Sequence, residues 1–286
     1  MITKFRSQNR NNLLTQNKMK VLVIGAGNMG LTYAEGMSKS ELLNRNNIMI
    51  LDKSEEKTIE LKQISYFDVF TELEHCIPEA DIIFIAVKPH HAENLLQTMQ
   101  PLLSQKHIII SIMAGVTVDM MKKFSGIDRI VRAMPNLPAE VGEGMTTYIA
   151  SQSIAQAEVL AIEQLLNTTG KALKVSNESY INASTAISGS GPAYVFYFMQ
   201  SMMEAALEMG FSEEDARTLV SQTFTGSIAL CNQADLSPKT WMKKVTSKGG
   251  TTQAALETLD NNKVNKSINE AVMAAFDRAV ELGKEN

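Results

Sequence analysis

The sequence predicts an α/β domain with a doubly wound parallel sheet, followed by an all-α domain. Short β-branched runs alternate with helical patterns up to about residue 176, and only helical patterns continue from there. The chain has 286 residues, which suits two domains of about 100–200 residues each. We expect the α/β domain to span 19–176 and the helical domain to span 177–286. Residues 1–18 are polar and contain no acid, and we expect a disordered extension or a misplaced start there, with a transit peptide as the weaker alternative.

Composition excludes several classes of protein. The net charge of −4 gives no basic surface for nucleic acid, and no apolar run approaches the ~20 residues that span a bilayer. The two cysteines, Cys76 and Cys231, lie far apart in sequence, so neither a disulfide framework nor a metal site is predicted. This cysteine usage fits a reducing cytoplasm, which is where we expect the protein.

A glycine-rich turn follows the first predicted strand, residues 20–24, and opens a helical pattern at 31–38. The turn has the sequence G-x-G-x-x-G and consists of Gly25, Ala26, Gly27, Asn28, Met29 and Gly30. In this motif the first glycine allows a tight turn, the second lets a pyrophosphate approach, and the third lets helix and strand pack closely. We therefore predict a dinucleotide-binding Rossmann domain with these six residues at the cofactor.

The residue after the second predicted strand, 48–51, bears on the choice of cofactor. Asp52 lies 52 − 30 = 22 positions past the last glycine, near the ~20 expected for an acid that binds the adenosine ribose 2′-hydroxyl. That placement favours NADH, whereas the adjacent Lys53 and Ser54 suit the 2′-phosphate of NADPH. Alternatively, Asp52 caps the helix that begins near Glu55. The residues leave both cofactors open.

Three further predicted strands, 81–87, 108–112 and 129–133, end on the same rim as the glycine turn. Ligands of open parallel sheets bind beyond the carboxyl ends of the strands. The residues that we therefore predict beside the cofactor are Ala86, Val87, Lys88, Pro89, Ala114, Gly115 and Pro135. Two more strands and a helix complete the domain, at 145–150, 171–175 and 153–166.

The second half of the chain reads as helices throughout. We expect them near 178–187, 191–210, 213–234, 252–260 and 264–282. A methionine stripe on the second helix indicates core or interface, and its members are Met199, Met202, Met203 and Met209. Long apolar helices that cannot all be buried within one small domain predict a helical dimer interface.

A hydroxyl-rich loop enters the fourth of these helices. Its residues are Thr246, Ser247, Lys248, Gly249, Gly250, Thr251 and Thr252. A helix N-terminus offers unpaired N–H groups and a partial positive charge, and adjacent glycines let a ligand approach the backbone. The loop is therefore either a carboxylate or phosphate site, or an ordinary helix cap after a flexible Gly-Gly turn.

The absence of histidine from the helical half argues against a reaction that needs a histidine general acid from that half. All four histidines lie in the first domain, at His75, His90, His91 and His107. We expect the adjacent pair in a solvated loop. A protonated imine is already electrophilic, so hydride transfer to it needs only a neutral hydroxyl at nitrogen instead of a general acid. Thr251 or Thr252 can provide that hydroxyl beside a carboxylate held by backbone N–H groups of the same loop.

Five motifs, in this order, resemble the pyrroline-5-carboxylate reductase family. They lie at 24–30, 86–89, 132–138, 188–194 and 245–252, and the last two are the most specific. The resemblance extends from Met19 to about Leu282. It implies reduction of the cyclic imine 1-pyrroline-5-carboxylate to L-proline by NADPH or NADH, the last step of proline biosynthesis. It also implies a homodimer with interleaved helical domains, often assembled further into a ring of dimers.

The resemblance also implies roles for the residues of the second loop. The substrate-binding residues would be Ser247, Gly249, Gly250, Thr251 and Thr252, with Ser247 and the backbone holding the carboxylate. Ser247 and Thr252 would be the catalytic residues, the Thr252 hydroxyl bonding the ring nitrogen. Residues 188–192 would enter a helix near the nicotinamide.

Two positions depart from the family pattern. The family usually has proline where this chain has Lys248, which frees one backbone N–H and adds a positive charge, although we expect the side chain to point to water. Many members have a small polar residue where this chain has Asp52, which bears on the preference for NADPH.

Three rival functions remain to be weighed. A β-hydroxyacid dehydrogenase would need a lysine on a long helix of the second domain, and 191–210 contains none. Reduction of a related imine is a close alternative. A catalytically silent NAD(P)-binding dimer is the rival from another class; the intact hydroxyls and glycines of the second loop oppose it, and Lys248 keeps it open.

Overall fold

The structure is a computed structural model that describes residues 19–63 and 67–285. The disorder that we predict for residues 1–18 concerns a segment outside the described residues. The chain divides into two compact units, Met1–Ser190 with Ala275–Asn286, and Gly191–Ala274. The predicted domain boundary at 176/177 stays a prediction. Each unit is described by itself.

The first unit contains an eight-stranded sheet. Its strands are β1 (Val21–Ile24), β2 (Ile48–Leu51), β3 (Asp68–Phe70), β4 (Ile82–Ile85), β5 (Ile108–Ser111), β6 (Ile130–Met134), β7 (Gly144–Ala150) and β8 (Gly170–Lys174). They lie in the order β3-β2-β1-β4-β5-β6-β7-β8, and every neighbouring pair is parallel except β6 with β7. Strand order reverses at β1, as in the predicted doubly wound fold.

Helices of the first unit connect these strands. They are α1 (Asn28–Lys39), α2 (Glu55–Lys62), α3 (Leu73–Cys76), α4 (Ala92–Met99), α5 (Val118–Ser125), α6 (Gln156–Leu166) and α7 (Ser179–Ser184). α7 continues as a π-helix, Thr185–Gly189, which covers the end of the predicted helix 178–187. Short 3₁₀ turns include Pro89–His91, directly after β4.

The sheet separates two apolar cores. Along β1, Val21 and Val23 belong to one buried cluster, whereas Leu22 and Ile24 belong to the other. Successive strand residues point to opposite faces, so a strand covered by helices on both faces is apolar at every position. Tyr33 of α1 lies in the first cluster, and the apolar face of α4 lies in the second. These cores fix the rim from which the glycine turn projects.

The second unit is helical. Its helices are α8 (Gly191–Glu208), α9 (Glu213–Gln233), α10 (Pro238–Val245), α11 (Thr251–Asn261) and α12 (Val264–Glu285), of which residues 275–285 belong to the first unit. Many large apolar side chains on these helices are exposed, among them Phe196, Tyr197, Met202, Ile228 and Met273. Such a surface is the one expected at the predicted dimer interface.

Five short elements received no bounds from the sequence, namely β3, α3, α4, α5 and α10. β3 has three residues at the edge of the sheet and none of them is buried, so it lacks the apolar run of an inner strand. α3 and α10, with four and eight residues, are too short to show a helical period clearly. The predicted strand 81–87 is shorter in the structure, because β4 ends at Ile85 and residues 86–88 form a loop. Among the described residues, no helix combines the length and apolar character that a membrane crossing requires.

Candidate active site

The glycine turn after β1 is shaped by backbone packing. The Gly25 N–H donates to the Leu51 carbonyl at 2.8 Å, and Gly25 has φ +99°, a conformation that L-residues with a side chain rarely adopt. A Cβ on Gly30 would overlap the Gly25 carbonyl oxygen and lie 3.1 Å from the Ala86 Cβ. The first and third glycines of the motif are therefore required by the protein itself.

Gly27 has a different reason to be glycine. It precedes α1 with φ −74° and ψ 178°, which any residue adopts, and a Cβ built on it would meet no described atom within 4 Å. The first N–H groups of α1, from Asn28, Met29 and Gly30, lie beyond the reach of the intrahelical bonds. Open space beside unpaired N–H groups fits the pyrophosphate of a dinucleotide.

The strand ends beside this turn lie where the sequence predicts them. The Ala86 N–H donates to the Ile24 carbonyl at 2.9 Å, and Val87 Cγ1 would lie 3.1 Å from a Cβ on Gly25. Lys88 and Pro89 continue into the following 3₁₀ turn. Ala114 and Gly115 follow β5, and Pro135 follows β6, so the predicted cofactor residues share the carboxyl rim of one parallel sheet.

Asp52 secures the glycine turn. Its Oδ2 accepts the Ala26 N–H at 2.7 Å, and its Oδ1 accepts the Ser54 N–H at 2.9 Å. The alternative that Asp52 caps α2 is wrong, because Ser54 is the N-cap and its Oγ accepts the Lys57 N–H at 3.4 Å. A carboxylate has about four lone-pair positions, so two backbone bonds leave capacity for a ribose hydroxyl.

Lys57 is a neighbour of the glycine turn that sequence reasoning missed. Its Nζ donates to the Ala26 carbonyl at 3.3 Å, from the first turn of α2. With Lys53 it places a second cation near Asp52, on the side of the turn where the ribose of a dinucleotide is expected. Its position three residues after the Ser54 cap is the signal that points to it.

Two residues of the motif at 132–138 hold the segment that precedes α8. Arg132, 3% exposed, donates through Nη1 to Glu178 Oε1 at 2.7 Å and through Nη2 to Asn182 Oδ1 at 2.9 Å. Asn136 Nδ2 donates to the Ser188 carbonyl at 3.0 Å. These bonds tie the end of β6 to α7 and the π-helix, a positioning role to which sequence reasoning assigned no residue.

The loop of the second unit ends at the N-terminus of α11. Gly250 is the N-cap, with φ −86° and ψ 172°, and Gly249 adopts φ +72°. The Gly250 N–H donates to the Ser247 carbonyl at 3.1 Å, and Ser247 Oγ occupies the space that a Cβ on Gly250 would need. The N–H groups of Thr251 and Thr252 belong to the first turn of α11, where a carboxylate is favoured.

Gln253 is a second contact that sequence reasoning missed. Its Oε1 accepts the Gly249 N–H at 2.7 Å, and its Nε2 donates to Glu257 Oε1 at 2.7 Å. Gln253 and Glu257 are spaced by four along α11, which places them on one helix face, and Gly249 lies four residues before Gln253 in the loop. That spacing is the signal in the sequence.

The histidines lie outside the two loops. His107 is buried, its Nδ1 faces the Ser104 N–H at 2.9 Å, and its Nε2 faces the Ile77 carbonyl at 3.1 Å. Burial lowers the pKa of His107, which suits a neutral ring with a structural role. His90 and His91 are both exposed, as expected for a solvated loop.

Family models match most of the chain. A model described as pyrroline-5-carboxylate reductase dimerisation matches residues 178–282. A model described as NADP oxidoreductase, coenzyme F420-dependent, matches residues 20–115, which include the glycine turn. The first match covers the helical region with the loop before α11.

Relatives that match nearly the whole chain include two pyrroline-5-carboxylate reductases. The chain is 32% identical over 267 residues to the pyrroline-5-carboxylate reductase of Pseudomonas aeruginosa, covering 93% of this chain and 97% of the relative. It is 31% identical over 265 residues to that of Arabidopsis thaliana, covering 93% and 96%.

Solved structures agree with the sequence relatives. The pyrroline-5-carboxylate reductase of Coxiella burnetii superimposes with a TM-score of 0.87 at 32% identity, covering 93% of this chain and 99% of the other. The Plasmodium falciparum pyrroline carboxylate reductase, solved with NADP bound, has a TM-score of 0.84 at 28% identity, covering 94% and 99%.

Proposed function

The chain belongs to the pyrroline-5-carboxylate reductase family. From this premise we propose that its two loops have separate binding roles in one reaction. The activity is the NAD(P)H-dependent reduction of 1-pyrroline-5-carboxylate to L-proline, the last step of proline biosynthesis. The glycine turn after β1 holds the dinucleotide, and the loop before α11 holds the cyclic imine.

The observation that carries the substrate assignment is the N-terminus of α11. The backbone is accessible at the Gly-Gly turn before this helix. The N–H groups of the first helical turn have no intrahelical acceptor. A carboxylate is the ligand that such N–H groups and the helix dipole favour. Ser247 and Thr251 then bind the carboxylate, and Thr252 lies one residue further along the helix. Gly249 and Gly250 shape the turn, because their N–H groups donate to Gln253 Oε1 and to the Ser247 carbonyl.

The cofactor supplies a hydride from its nicotinamide when it is bound. The residues of this chain orient the acceptor. We assign the Thr252 hydroxyl to the ring nitrogen and Ser247 to the carboxylate. As the hydride bonds to the imine carbon, the electron pair of the C=N bond moves to the protonated nitrogen, and a neutral amine results. No general acid is required, since the nitrogen already carries its proton.

The same residues of the rim fit either nicotinamide cofactor. Asp52 suits the ribose hydroxyl of NADH, and Lys53, Ser54 and Lys57 suit the 2′-phosphate of NADPH. We propose that Gly27 and the first N–H groups of α1 bind the pyrophosphate, with Ala86, Val87, Ala114, Gly115 and Pro135 along the remaining rim.

The assembly follows from the helical region, which carries the dimerisation region of the family and binds a second copy of the chain. We propose that dimers assemble further into a ring, supported by exposed apolar side chains on several helices of the second unit. We also propose a cytoplasmic location, which is supported by two free cysteines, Cys76 and Cys231.

The test is a spectrophotometric assay at 340 nm with purified protein and 1-pyrroline-5-carboxylate, run separately with NADH and NADPH. Wild-type protein should oxidise at least one cofactor only when the imine is present. Thr252→Ala should lower kcat/KM by about 10- to 100-fold, because one hydrogen bond to a charged group contributes ~1.5–3 kcal/mol.

Thr258→Ala is the matched control for this variant. Thr258 lies on the same helix, and its hydroxyl donates to the Ala254 carbonyl at 2.9 Å, away from the loop. Wild-type turnover of Thr252→Ala would show that Thr252 does not contact the nitrogen. A wild-type protein that binds NAD(P)H without oxidising it in the presence of the imine would favour the silent NAD(P)-binding dimer.

A further inference from the structure

The substrate loop is held by a side chain from the helix that follows it. The Gly249 N–H donates to Gln253 Oε1 at 2.7 Å, and the Gly250 N–H donates to the Ser247 carbonyl at 3.1 Å. Gly249 has φ +72°, and Gly250 as N-cap has no side chain with which to secure the turn. The bond from Gln253, the third residue of α11, therefore secures the turn from the helix, in place of a side chain at the N-cap.

The Gln253 amide has one defined orientation. Its Nε2 donates to Glu257 Oε1 at 2.7 Å, one turn further along α11. The Gly249 N–H requires an acceptor and the Glu257 carboxylate requires a donor, so only one placement of the amide oxygen and nitrogen satisfies both. Glu257 thereby directs the amide oxygen toward the loop.

Without this bond the loop would have wide conformational freedom. Two adjacent glycines lose more backbone entropy on ordering than other residues, and Lys248 before them lacks the fixed φ of a proline. A loop that must be ordered by its ligand binds that ligand more weakly than one already ordered. The bond from Gln253 orders the loop before the substrate arrives.

We propose that Gln253 is a positioning residue for the imine substrate. It holds the backbone at Gly249 so that the N–H groups at the start of α11 are presented together to the substrate carboxylate, and Glu257 fixes its amide. The proposal rests on the assignment of this loop to the substrate. Gln253 itself acts through the loop and touches no reacting atom.

The first test measures the steady-state kinetics of Gln253→Leu, a substitution of similar size that removes both bonds. The KM for 1-pyrroline-5-carboxylate should rise about tenfold with kcat within about twofold, because the cost of ordering the loop falls on binding. The dissociation constant of NADPH should not change.

Gln97→Leu is the matched control. Gln97 makes the same kind of bond to a glutamate four residues away, from its Nε2 to Glu93 Oε1 at 3.2 Å, on the exposed face of α4. A merely structural loss of a helix-surface pair would lower the melting temperature of both leucine variants alike and leave both KM values unchanged. An unchanged KM in Gln253→Leu would overturn the proposal.

The second test measures hydrogen exchange of the Gly249 amide by NMR in the dimeric protein without substrate. The amide should exchange slowly in wild type and at least about tenfold faster in Gln253→Leu. Equal exchange in wild type and Gln253→Leu would overturn the proposal even if the imine is reduced. If wild-type protein reduced no imine, the proposed function would fail, and the exchange rates alone would decide whether Gln253 holds the loop.

Discussion

The two glycine-containing loops of this protein are held in place by different interactions, one by packing in a buried core and the other by contacts at an exposed surface. The turn after β1 is built into a packed core: a Cβ on Gly30 would overlap backbone, and the strands on either side are wholly buried. The loop before α11 is exposed at Lys248 and Gly249, and the atoms nearest a Cβ on Gly250 all belong to Ser247, first its Oγ and then its carbonyl oxygen at 3.2 Å.

This difference explains why a substitution at glycine should have different consequences in the two loops. Backbone inside a close-packed core cannot move aside without disturbing its neighbours. An exposed hydroxyl can rotate away at small cost to the fold, but the ligand geometry that it supported is then lost. Substitutions in the first loop should therefore reduce stability, whereas those in the second should reduce substrate binding.

The largest effect is expected for Gly30→Ala. The added methyl group would overlap the Gly25 carbonyl oxygen and press on the Ala86 Cβ, so we expect a loss of about 3 kcal/mol or more in the free energy of unfolding. Denaturant unfolding measures this. Gly27→Ala is the matched control, because it meets no described atom within 4 Å and should keep the stability while weakening NADPH binding. Equal stability of Gly30→Ala and wild type would contradict the packing argument.

The second prediction concerns Gly250→Ala in the exposed loop. The new methyl group would displace Ser247 Oγ, and the backbone at φ −86° accepts alanine without strain. We expect the KM for the imine to rise by about 10- to 100-fold with an unchanged melting temperature, since a carboxylate loses one charge-assisted bond. A fall in stability similar to that of Gly30→Ala would remove the distinction between the loops.

The core-determined part of the molecule could be predicted from the sequence. β2 has the predicted bounds, the glycine turn follows β1, and β1, β2, β4, β5 and β6 are parallel neighbours, as the buried β-branched runs indicate. β4 ends two residues before the predicted end of its strand. Burial on both faces leaves one solution for such a strand, so local sequence suffices. The start of α11 was also predictable, because a Gly-Gly pair before a helical period marks a helix N-terminus.

The missed features depend on side-chain bonds between elements that sequence alone does not bring together. Arg132 meets Glu178 across 46 positions, and Lys57 reaches Ala26 across 31. Gln253 is local, but a polar residue on a helix has many partners within reach, and the choice among them is made by three-dimensional geometry. The alternative of a helix cap at Asp52 is wrong for the same reason, since its Oδ2 accepts the Ala26 N–H and Ser54 is the N-cap.

The smallest effect is expected for Asp52→Ser. This variant tests whether the turn after β1 also depends on a hydrogen bond from a side chain, the one between Asp52 and the Ala26 N–H. The substitution removes one negative charge beside Lys53 and Lys57, so the ratio of NADH to NADPH dissociation constants should shift about fivefold toward NADPH, because an exposed charge pair contributes up to ~1 kcal/mol. Fluorescence titration of both cofactors measures the ratio, and Asp52→Asn is the control that removes the charge but retains an acceptor for the Ala26 N–H. If both cofactors weakened equally in Asp52→Ser and neither weakened in Asp52→Asn, Asp52 would act only by securing the turn, and the two loops would then share the same kind of support.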